Sequence, residues 1–443
     1  MPVPRAGLII CTLLVVCALS EVATSTKSKD DIRGISEINV YDILAIVVMG
    51  FGLAMAASGG VGGGPIIVPL LVLVMGFDIK YATPASNFII MGGAVANAIF
   101  NLQKRHPFVD RPLVDADICM GMIPAMMAGA VIGAFLSKLL PSYIISILFE
   151  ILQAEEEHDK LLLPSDAAVD NSSTSHDSDH QHPPANAYAE IQSPGAAAVI
   201  ISEPADPAKE QALAVLSAHE RRFQWRKHLF VFVCYLGILA ASIGGAAPKC
   251  GSVTYWTILW AELPWVFCFT LAFVFYMCKH QAYKRSLHFP VAAGDIDWTT
   301  RTVVYFPLGC VFAGMVAGLF GVGGAIITGP LLVEMGVVPE VASSTSALLV
   351  LYSSAAASAK FALFGMIRYD WAGMLCALAF CVTIVAQVYI GGYVRRTGRQ
   401  SIIVFCIGLT ICVGVCLMLY SVVKSVIDDA GKFFTVDFCN NRK

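Results

Sequence analysis

The 443-residue chain contains few charged residues: Asp, Glu, Lys and Arg together make up 14% of it. Hydrophobic residues make up 57%, and the mean hydropathy is +0.71. The surface of a water-soluble protein cannot be built from so few charged groups, so we expect a polytopic protein of the lipid bilayer. The formal net charge of -3 shows no basic excess, which argues against nucleic acid as a partner.

Metal and redox motifs are also absent from the sequence. The 14 cysteines are scattered and include no Cys-x-x-Cys spacing. No segment combines a nucleophile, a base and an orienting group, and none carries a cluster of metal ligands. We therefore expect no enzyme activity, no cofactor and no metal site, and no pattern indicates an oligomeric state.

The chain does contain a glycine-rich motif that occurs twice. Residues 60–71 read GVGGGPIIVPLL, and residues 321–332 read GVGGAIITGPLL. An offset of 261 aligns the two motifs, and an offset of 260 aligns the residues that follow them. The chain is therefore internally duplicated. Because glycine and proline weaken or break a helix, each motif is expected to present backbone groups without helical partners at membrane depth.

Apolar segments account for most of the remaining chain. They are 40–58, 65–76, 82–102, 117–140, 141–152, 228–247, 254–278, 302–320, 325–336, 342–364, 371–393 and 401–426. Most of them can span a bilayer, but 65–76 and 325–336 would form only about 18 Å of helix against a hydrocarbon core of about 30 Å. These two segments are predicted to be half-helices. Segment 141–152 is also short, which indicates either an earlier helix start near Leu139 or a helix that is partly absent; we favour the second interpretation.

The basic residues predict the topology. With the amino terminus outside and each glycine break forming a re-entrant hairpin, fourteen basic residues fall in the cytosol, as the positive-inside rule requires. They are Lys104, Arg105, Arg111, Arg221, Arg222, Arg226, Lys227, Lys279, Lys284, Arg285, Arg301, Arg395, Arg396 and Arg399. The predicted fold class is an all-α polytopic membrane protein of two inverted repeats. Each repeat has a Gly-rich broken or re-entrant helical hairpin, and two extra helices lie between the repeats.

The predicted organisation begins with a signal peptide, because Arg5 precedes an apolar run that ends in small residues. An uncleaved first helix is the alternative, and either one directs the chain through the secretory pathway to the plasma membrane or an endomembrane. The predicted parts are a signal peptide (1–20), an exoplasmic segment (21–39), the first repeat (40–152), a disordered cytosolic loop (153–227), two linking helices (228–278), a cytosolic loop (279–301), the second repeat (302–426) and a C-terminal tail (427–443).

The residues expected to bind substrate cluster at the two glycine breaks. The N-terminus of a short helix offers amide donors and a partial positive charge to an anion, and nearby hydroxyl and amide side chains can complete its shell. The candidates are Gly62, Gly63, Gly64, Pro65, Thr83, Ser86, Asn87, Gly323, Gly324, Ala325, Ser343, Ser344, Thr345 and Ser346. Two alternatives stay open: the glycines serve only close helix packing, and the hydroxyls only bond to their own helices.

The charged residues within the apolar segments include Glu334, Lys360, Glu262 and Asp42. Glu334 lies in the second short helix and is the candidate for proton coupling, with an interfacial position as the alternative. Lys360 is expected to extend along its helix to the membrane interface, with a role in substrate binding as the alternative, and Glu262 and Asp42 are expected to lie at the interface.

The duplicated Gly-x-Gly-Gly motif, its downstream Pro-Leu and the Ser/Thr-rich helix that follows resemble the sulfite exporter TauE/SafE family of membrane transporters. Residues 59–111 are similar to plant-type members, including the stretches Ile90-Met91-Gly92 and 101–107 (NLQKRHP). The resemblance implies a secondary transporter of small sulfur-containing anions, sulfite or an organosulfonate, that works by alternating access. An anion channel, and a receptor or scaffold that kept the fold but lost transport, are the alternatives.

Overall fold

The chain is predominantly helical. The computed structural model describes residues 40–59, 63–106, 110–141, 220–249, 251–287 and 300–397, with single positions between 144 and 218 and at 296 and 298. Within these residues there are ten helices and no β-strand. The helices are α1 (Val40–Gly59), α2 (Gly64–Leu73), α3 (Ile79–Asn101), α4 (Ala116–Leu139), α5 (Trp225–Gly244), α6 (Val253–Ser286), α7 (Thr300–Phe320), α8 (Ala325–Glu334), α9 (Pro339–Leu363) and α10 (Tyr369–Thr397).

Several predicted parts lie outside the described residues. These are the signal peptide, the exoplasmic segment 21–39, most of the loop 153–227, the apolar segment 401–426 and the tail 427–443. Of segment 141–152, positions 144, 145, 147, 148 and 151 are described as helical.

The described helices have the length and surface of membrane spans. Five segments are long and apolar enough to cross a bilayer: α4, α5, α6, α9 and the Tyr369–Tyr389 part of α10. The outer surface of α6 is apolar, since Val253, Phe267 and Phe275 have exposed fractions of 80%, 61% and 68%. Such a surface suits lipid rather than water. The predicted class, an all-helical membrane protein, is confirmed.

Helices α4 and α7 pack with their backbones in near contact along a glycine face. The glycines of this face are Gly129 and Gly133 on α4 and Gly314 and Gly318 on α7. A Cβ added at Gly129 would lie 2.7 Å from the amide nitrogen of Met315, so a larger residue does not fit there. Gly129 faces Met315, and Gly133, one turn later, faces Leu319, so the two helices run parallel.

Helices α3 and α9 lie at the centre of the bundle, and nearly all their residues are buried. Their polar residues therefore share the interior with the apolar core. Helix α3 packs against α10, where a Cβ added at Gly92 would lie 2.6 Å from Cys376 Sγ and one at Gly93 would lie 3.1 Å from Thr383 Oγ1. Helix α9 packs against α4, and the pair α5 and α6 packs against α4 from the outside.

Candidate functional site

The two short helices begin at glycines in the left-handed backbone conformation. Gly63, with φ of 75°, precedes α2, and Gly324, with φ of 60°, precedes α8. Neither residue has a side chain that could cap its helix, so the first-turn amides must find other acceptors. Non-glycine residues adopt this conformation only at an energetic cost, which explains the residue type at both positions.

The two glycine segments contact one another in the middle of the bundle. A Cβ added at Gly64 would lie 2.6 Å from the carbonyl oxygen of Val322, so the two backbones touch. Gly323 lies against two branched side chains, because a Cβ there would lie 3.2 Å from Ile90 Cγ2 and 3.4 Å from Val350 Cγ1. The sequence predicted that the starts of both short helices point at one central anion, and the fold brings the two glycine segments into contact.

Part of each helix N-terminus is already engaged in local hydrogen bonds. In α2 the amides of Ile66 and Ile67 donate to the Gly63 carbonyl, each at 3.2 Å, and Pro65 has no amide hydrogen. In α8 the amide of Ala325 donates to the Gly323 carbonyl at 2.7 Å, and that of Ile327 to the Gly324 carbonyl at 3.3 Å. Several first-turn amides are thus used within the helices, so fewer donors are available to an anion than the sequence suggested.

The polar side chains of α3 converge on the second glycine segment. Thr83, Ser86 and Asn87 have exposed fractions of 0%. Ser86 Oγ donates a hydrogen bond of 2.7 Å to the carbonyl of Gly321, and Asn87 Nδ2 donates one of 3.2 Å to the carbonyl of Thr83. Thr83 Oγ1 and Asn87 Oδ1 are buried without a hydrogen-bond partner in the described structure. Buried polar atoms of this kind are rare unless a ligand or water completes them.

The four hydroxyl residues of α9 divide into different roles. Ser344 Oγ donates to the carbonyl of Val341 at 3.0 Å, the local bond that the alternative interpretation expected. Thr345 Oγ1 accepts a hydrogen bond of 3.4 Å from the Asp115 amide at the start of α4. Ser346 is buried, its Oγ has no partner in the described structure, and the 260-residue offset matches it to Ser86. Ser343 is half-buried.

Two other candidates do not contribute to the geometry described above. Gly62 lies outside the described residues, so its surroundings are not part of this site's geometry. Glu334 is the last residue of α8, and its side chain is exposed.

A buried polar network, which the sequence did not reveal, links α1, α3 and α10. Gln387 Nε2 donates to Asn97 Oδ1 at 2.7 Å and to the carbonyl of Ala57 at 3.0 Å. Lys104 Nζ donates to Asn101 Oδ1 at 2.7 Å and to Gln387 Oε1 at 3.2 Å. The network therefore runs from a cationic side chain to the last turns of α1, directly before the first glycine motif. Its partners are up to 330 positions apart, so no local pattern could have indicated it.

The Lys360 side chain does not extend outward as predicted, whereas the interfacial position of Glu262 stays a prediction. Both side chains have exposed fractions of 1%, and they form an ion pair in which Lys360 Nζ donates to Glu262 Oε1. Lys360 therefore does not extend away from the bundle. Its ammonium group contacts the carboxylate of Glu262 on α6, 98 positions earlier in the chain. This ion pair stabilises the charge inside the bundle.

A cavity of about 300 Å³ opens beside the start of α4. We call this side of the bundle the Asp115 end, since Asp115 both lines the cavity and contacts Thr345. Its charged lining is mixed, and part of it is paired: Lys284 forms an ion pair with Glu220 at 2.5 Å, and Arg285 donates to the Trp298 carbonyl at 3.4 Å. The cavity is a polar space next to the hydroxyl end of α9.

Comparison with known proteins assigns the chain to a family. The profile of the family described as "Sulfite exporter TauE/SafE" matches residues 3–153 and 209–417, which leaves out most of the predicted hydrophilic loop. Among curated proteins of Arabidopsis thaliana, the chain is 28% identical to "Sulfite exporter TauE/SafE family protein 3" over 372 residues, 83% of this chain and 76% of that protein. It is 26% identical to "Sulfite exporter TauE/SafE family protein 2" over 407 residues, 86% of this chain and 83% of that protein.

A third relative extends the match. The chain is 26% identical to "Sulfite exporter TauE/SafE family protein 6" of the same plant over 417 residues, 92% of this chain and 88% of that protein. No solved structure matches the chain. The family profile, the similarity to several plant proteins along most of their length and the all-helical membrane fold agree with one another: the chain belongs to the sulfite exporter TauE/SafE family of membrane transporters, as a plant-type member.

Proposed function

We propose that this chain is a secondary transporter that moves a small sulfur-containing anion, sulfite or an organosulfonate, by alternating access. The observation that carries the proposal is the contact of the two glycine segments at the centre of the bundle, at Gly64 and Val322. Two helices begin at this contact, and the unpartnered Thr83 and Asn87 side-chain oxygens lie on the helix packed against it. The names of the plant relatives supply the substrate class.

The physical basis is a dispersed anion site. A helix N-terminus carries a partial positive charge, and the positive ends of α2 and α8 lie together. The amide of Gly64 and the hydroxyls of Thr83 and Ser346 can donate hydrogen bonds. Sulfite or a sulfonate has three oxygens to accept them, and several moderate hydrogen bonds allow release as well as capture. No fixed cation is needed at the centre.

The packing supports inverted repeats. The fourth helix of the first half, α4, pairs with the first helix of the second half, α7, and the corresponding pair α10 and α1 is also in contact. Ile90 and Val350, which the 260-residue offset matches, both lie against Gly323. Since α3 runs parallel to α10, and α10 returns directly after α9, α3 and α9 are antiparallel. The short helices that lead into them therefore extend from the centre in opposite directions, as alternating access between related halves requires.

The Asp115 end is proposed to be the cytosolic side. Three of the four basic clusters predicted for the cytosol have members at this end: Arg105 donates to the Arg221 carbonyl at 3.1 Å, and Arg111, Lys284 and Arg285 line one cavity. This gathering of cations on one side is what the positive-inside rule expects. The cavity beside Asp115 and Thr345 would then be the cytosolic vestibule through which the anion enters.

Flux measurements on purified protein in liposomes test the proposal. Saturable sulfite uptake that accelerates when the vesicles are preloaded with sulfite indicates a carrier. Conductance that does not saturate indicates a channel, and absence of flux from inserted protein indicates a receptor or scaffold; either result contradicts the proposal.

A substitution pair tests the site itself. Replacing both Gly63 and Gly324 with leucine should abolish flux while the protein still inserts, because each leucine is strained in a left-handed conformation and fills the space at a helix start. Gly329→Leu is the matched control on α8, since a Cβ there meets no described atom within 4 Å. Unchanged flux in the double variant would disprove the site.

A further inference from the structure

We propose that Glu262 and Lys360 form the proton-coupling site of the transporter, in which Glu262 binds the coupled proton and Lys360 then serves as the counter-charge of the moving anion. The inference rests on the proposed anion transport and adds its energy source. It begins from the buried ion pair between α6 and α9, which the proposed anion site does not use.

The pair lies inside two membrane spans. Helices α6 and α9 are both long and apolar enough to cross the bilayer, and both side chains have exposed fractions of 1%. Ionisable residues in such positions are costly and commonly mark ion or proton pathways. A purely structural link between two helices could be made more cheaply by apolar packing, because desolvation offsets much of the attraction between buried charges.

The carboxylate is only half satisfied. Glu262 Oε1 accepts from Lys360 Nζ, whereas Oε2 is buried without a hydrogen-bond partner in the described structure. A proton would therefore bind at Oε2. Protonation removes a buried negative charge that has no second hydrogen-bond donor.

The two halves of the chain differ at this position. The 260-residue offset that matches Val350 to Ile90 also matches Lys360 to Phe100. Lys360 lies ten residues after Val350 on α9, about 15 Å from the glycine contact and away from the Asp115 end. The charge is thus an addition to one half, and its partner comes from α6, a linking helix outside the two repeats.

Among the described residues, Lys360 is the charged residue in contact with Glu262. The titratable and charged residues on the helices around α6 are Asp117, Cys119 and Lys138 of α4; Arg226, Lys227, His228, Cys234 and Tyr235 of α5; Arg301, Tyr305 and Cys310 of α7; and Glu340, Tyr352 and Lys360 of α9. Lys138 Nζ lies 4.7 Å from the centroid of the Phe364 ring, and Lys227 pairs with Asp117.

The charge balance gives the coupling rule. With Glu262 ionised, the pair is neutral and Lys360 has no free charge for an anion. When a proton neutralises Glu262, the ammonium of Lys360 is left without its counter-ion, and a monovalent anion can take that place. Because the site is neutral in both states, one proton moves with one negative charge, and no uncompensated charge is left at membrane depth.

Sulfite accumulation in liposomes tests this rule. A gradient of one pH unit should drive about tenfold accumulation by the wild-type protein, since one unit corresponds to a factor of ten. E262Q should retain sulfite exchange at equal pH but accumulate none, because its amide cannot release a proton. Protein-free vesicles correct for passive entry, and the ionisation of sulfite is the same for every variant.

The double variant E262Q/K360M separates coupling from folding. It leaves no unpaired buried charge, so it should assemble even if E262Q alone does not, and it should fail to accumulate sulfite. Tenfold accumulation by either variant would overturn the inference, as would loss of accumulation in E334Q together with retention in E262Q. If the wild-type protein shows no flux at all, the proposed function fails. If it shows sulfite flux that does not depend on the pH gradient, only the coupling inference fails.

Discussion

Ser86 Oγ donates a hydrogen bond of 2.7 Å to the carbonyl oxygen of Gly321, 235 positions later in the chain. Gly321 has φ of 74°, and a Cβ added there would lie 2.8 Å from the Thr83 carbonyl oxygen. The bond therefore holds a central helix of the first half directly on the glycine segment of the second. Both halves therefore contribute atoms to the region around Gly321.

Ser86→Ala should lower the free energy of unfolding by about 1–3 kcal/mol, because the buried Gly321 carbonyl loses its donor. Thermal unfolding of the detergent-purified protein measures the effect. Ser353→Ala is the matched control on α9: its hydroxyl bonds only to the Val350 carbonyl of its own helix, at 3.2 Å, and its loss should cost much less. Equal melting temperatures for the two variants would contradict the expectation.

Thr83→Val should raise the KM for sulfite about tenfold or more, while the protein inserts normally. Valine keeps the volume but removes the unpartnered hydroxyl, and a hydrogen bond to a charged ligand contributes about 1.5–3 kcal/mol. Initial rates of uptake over a range of sulfite concentrations provide the measurement. Thr270→Val on α6 should leave KM unchanged, because its hydroxyl already bonds to the Val266 carbonyl at 3.1 Å. If KM is the same in both, Thr83 does not contact the anion.

Gln387→Leu should destabilise the protein more than most single substitutions. The change removes the Nε2 group that donates to two buried acceptors, Asn97 Oδ1 and the Ala57 carbonyl. It also removes the Oε1 atom that accepts one of the hydrogen bonds from Lys104. Each buried group left unsatisfied costs about 1–3 kcal/mol. The unfolding midpoint in detergent reports the loss. Val388→Leu is the control, since the neighbouring side chain is 52% exposed and outside the network; a midpoint lowered equally by both would rule out the network as the cause.

Gly129→Leu or Gly314→Leu should prevent assembly of the bundle, because each side chain would enter the backbone of the opposite helix. Size-exclusion chromatography of the extracted protein should show aggregate in place of the folded peak. Gly373→Leu on α10 should elute like the wild type, since a Cβ there meets no described atom within 4 Å and the residue is exposed. A normal peak for Gly129→Leu would mean that the two helices separate without loss of the fold.

Local features of the sequence predicted the helices well. The half-helices expected at 65–76 and 325–336 correspond to Gly64–Leu73 and Ala325–Glu334, because glycine and proline act on their immediate neighbours. The longer apolar segments within the described ranges likewise correspond to helices, with ends shifted by a few residues. At the site, Thr83, Ser86 and Asn87 were predicted from their place after the first motif, and Thr83 and Ser86 contact the second motif at Gly321.

Contacts between polar side chains on different helices could not be predicted from the sequence. Lys360 was expected at the interface because a long cationic side chain near a helix end usually extends there, and only the fold places Glu262 within reach. The Gln387 network has the same origin, since its members lie on three helices that meet only after packing. Periodicity reports which residues form a helix, whereas the pairing of polar groups depends on which helices become neighbours.

The parallel seam between α4 and α7 has a consequence for how the molecule holds together. Helix α4 of the first half packs against α7 of the second, and α10 of the second half packs against α1 of the first, so the core is shared between the halves. At this seam the glycine backbones of the two halves are in near contact. Either half by itself would therefore expose to its surroundings the glycine face that the other half covers.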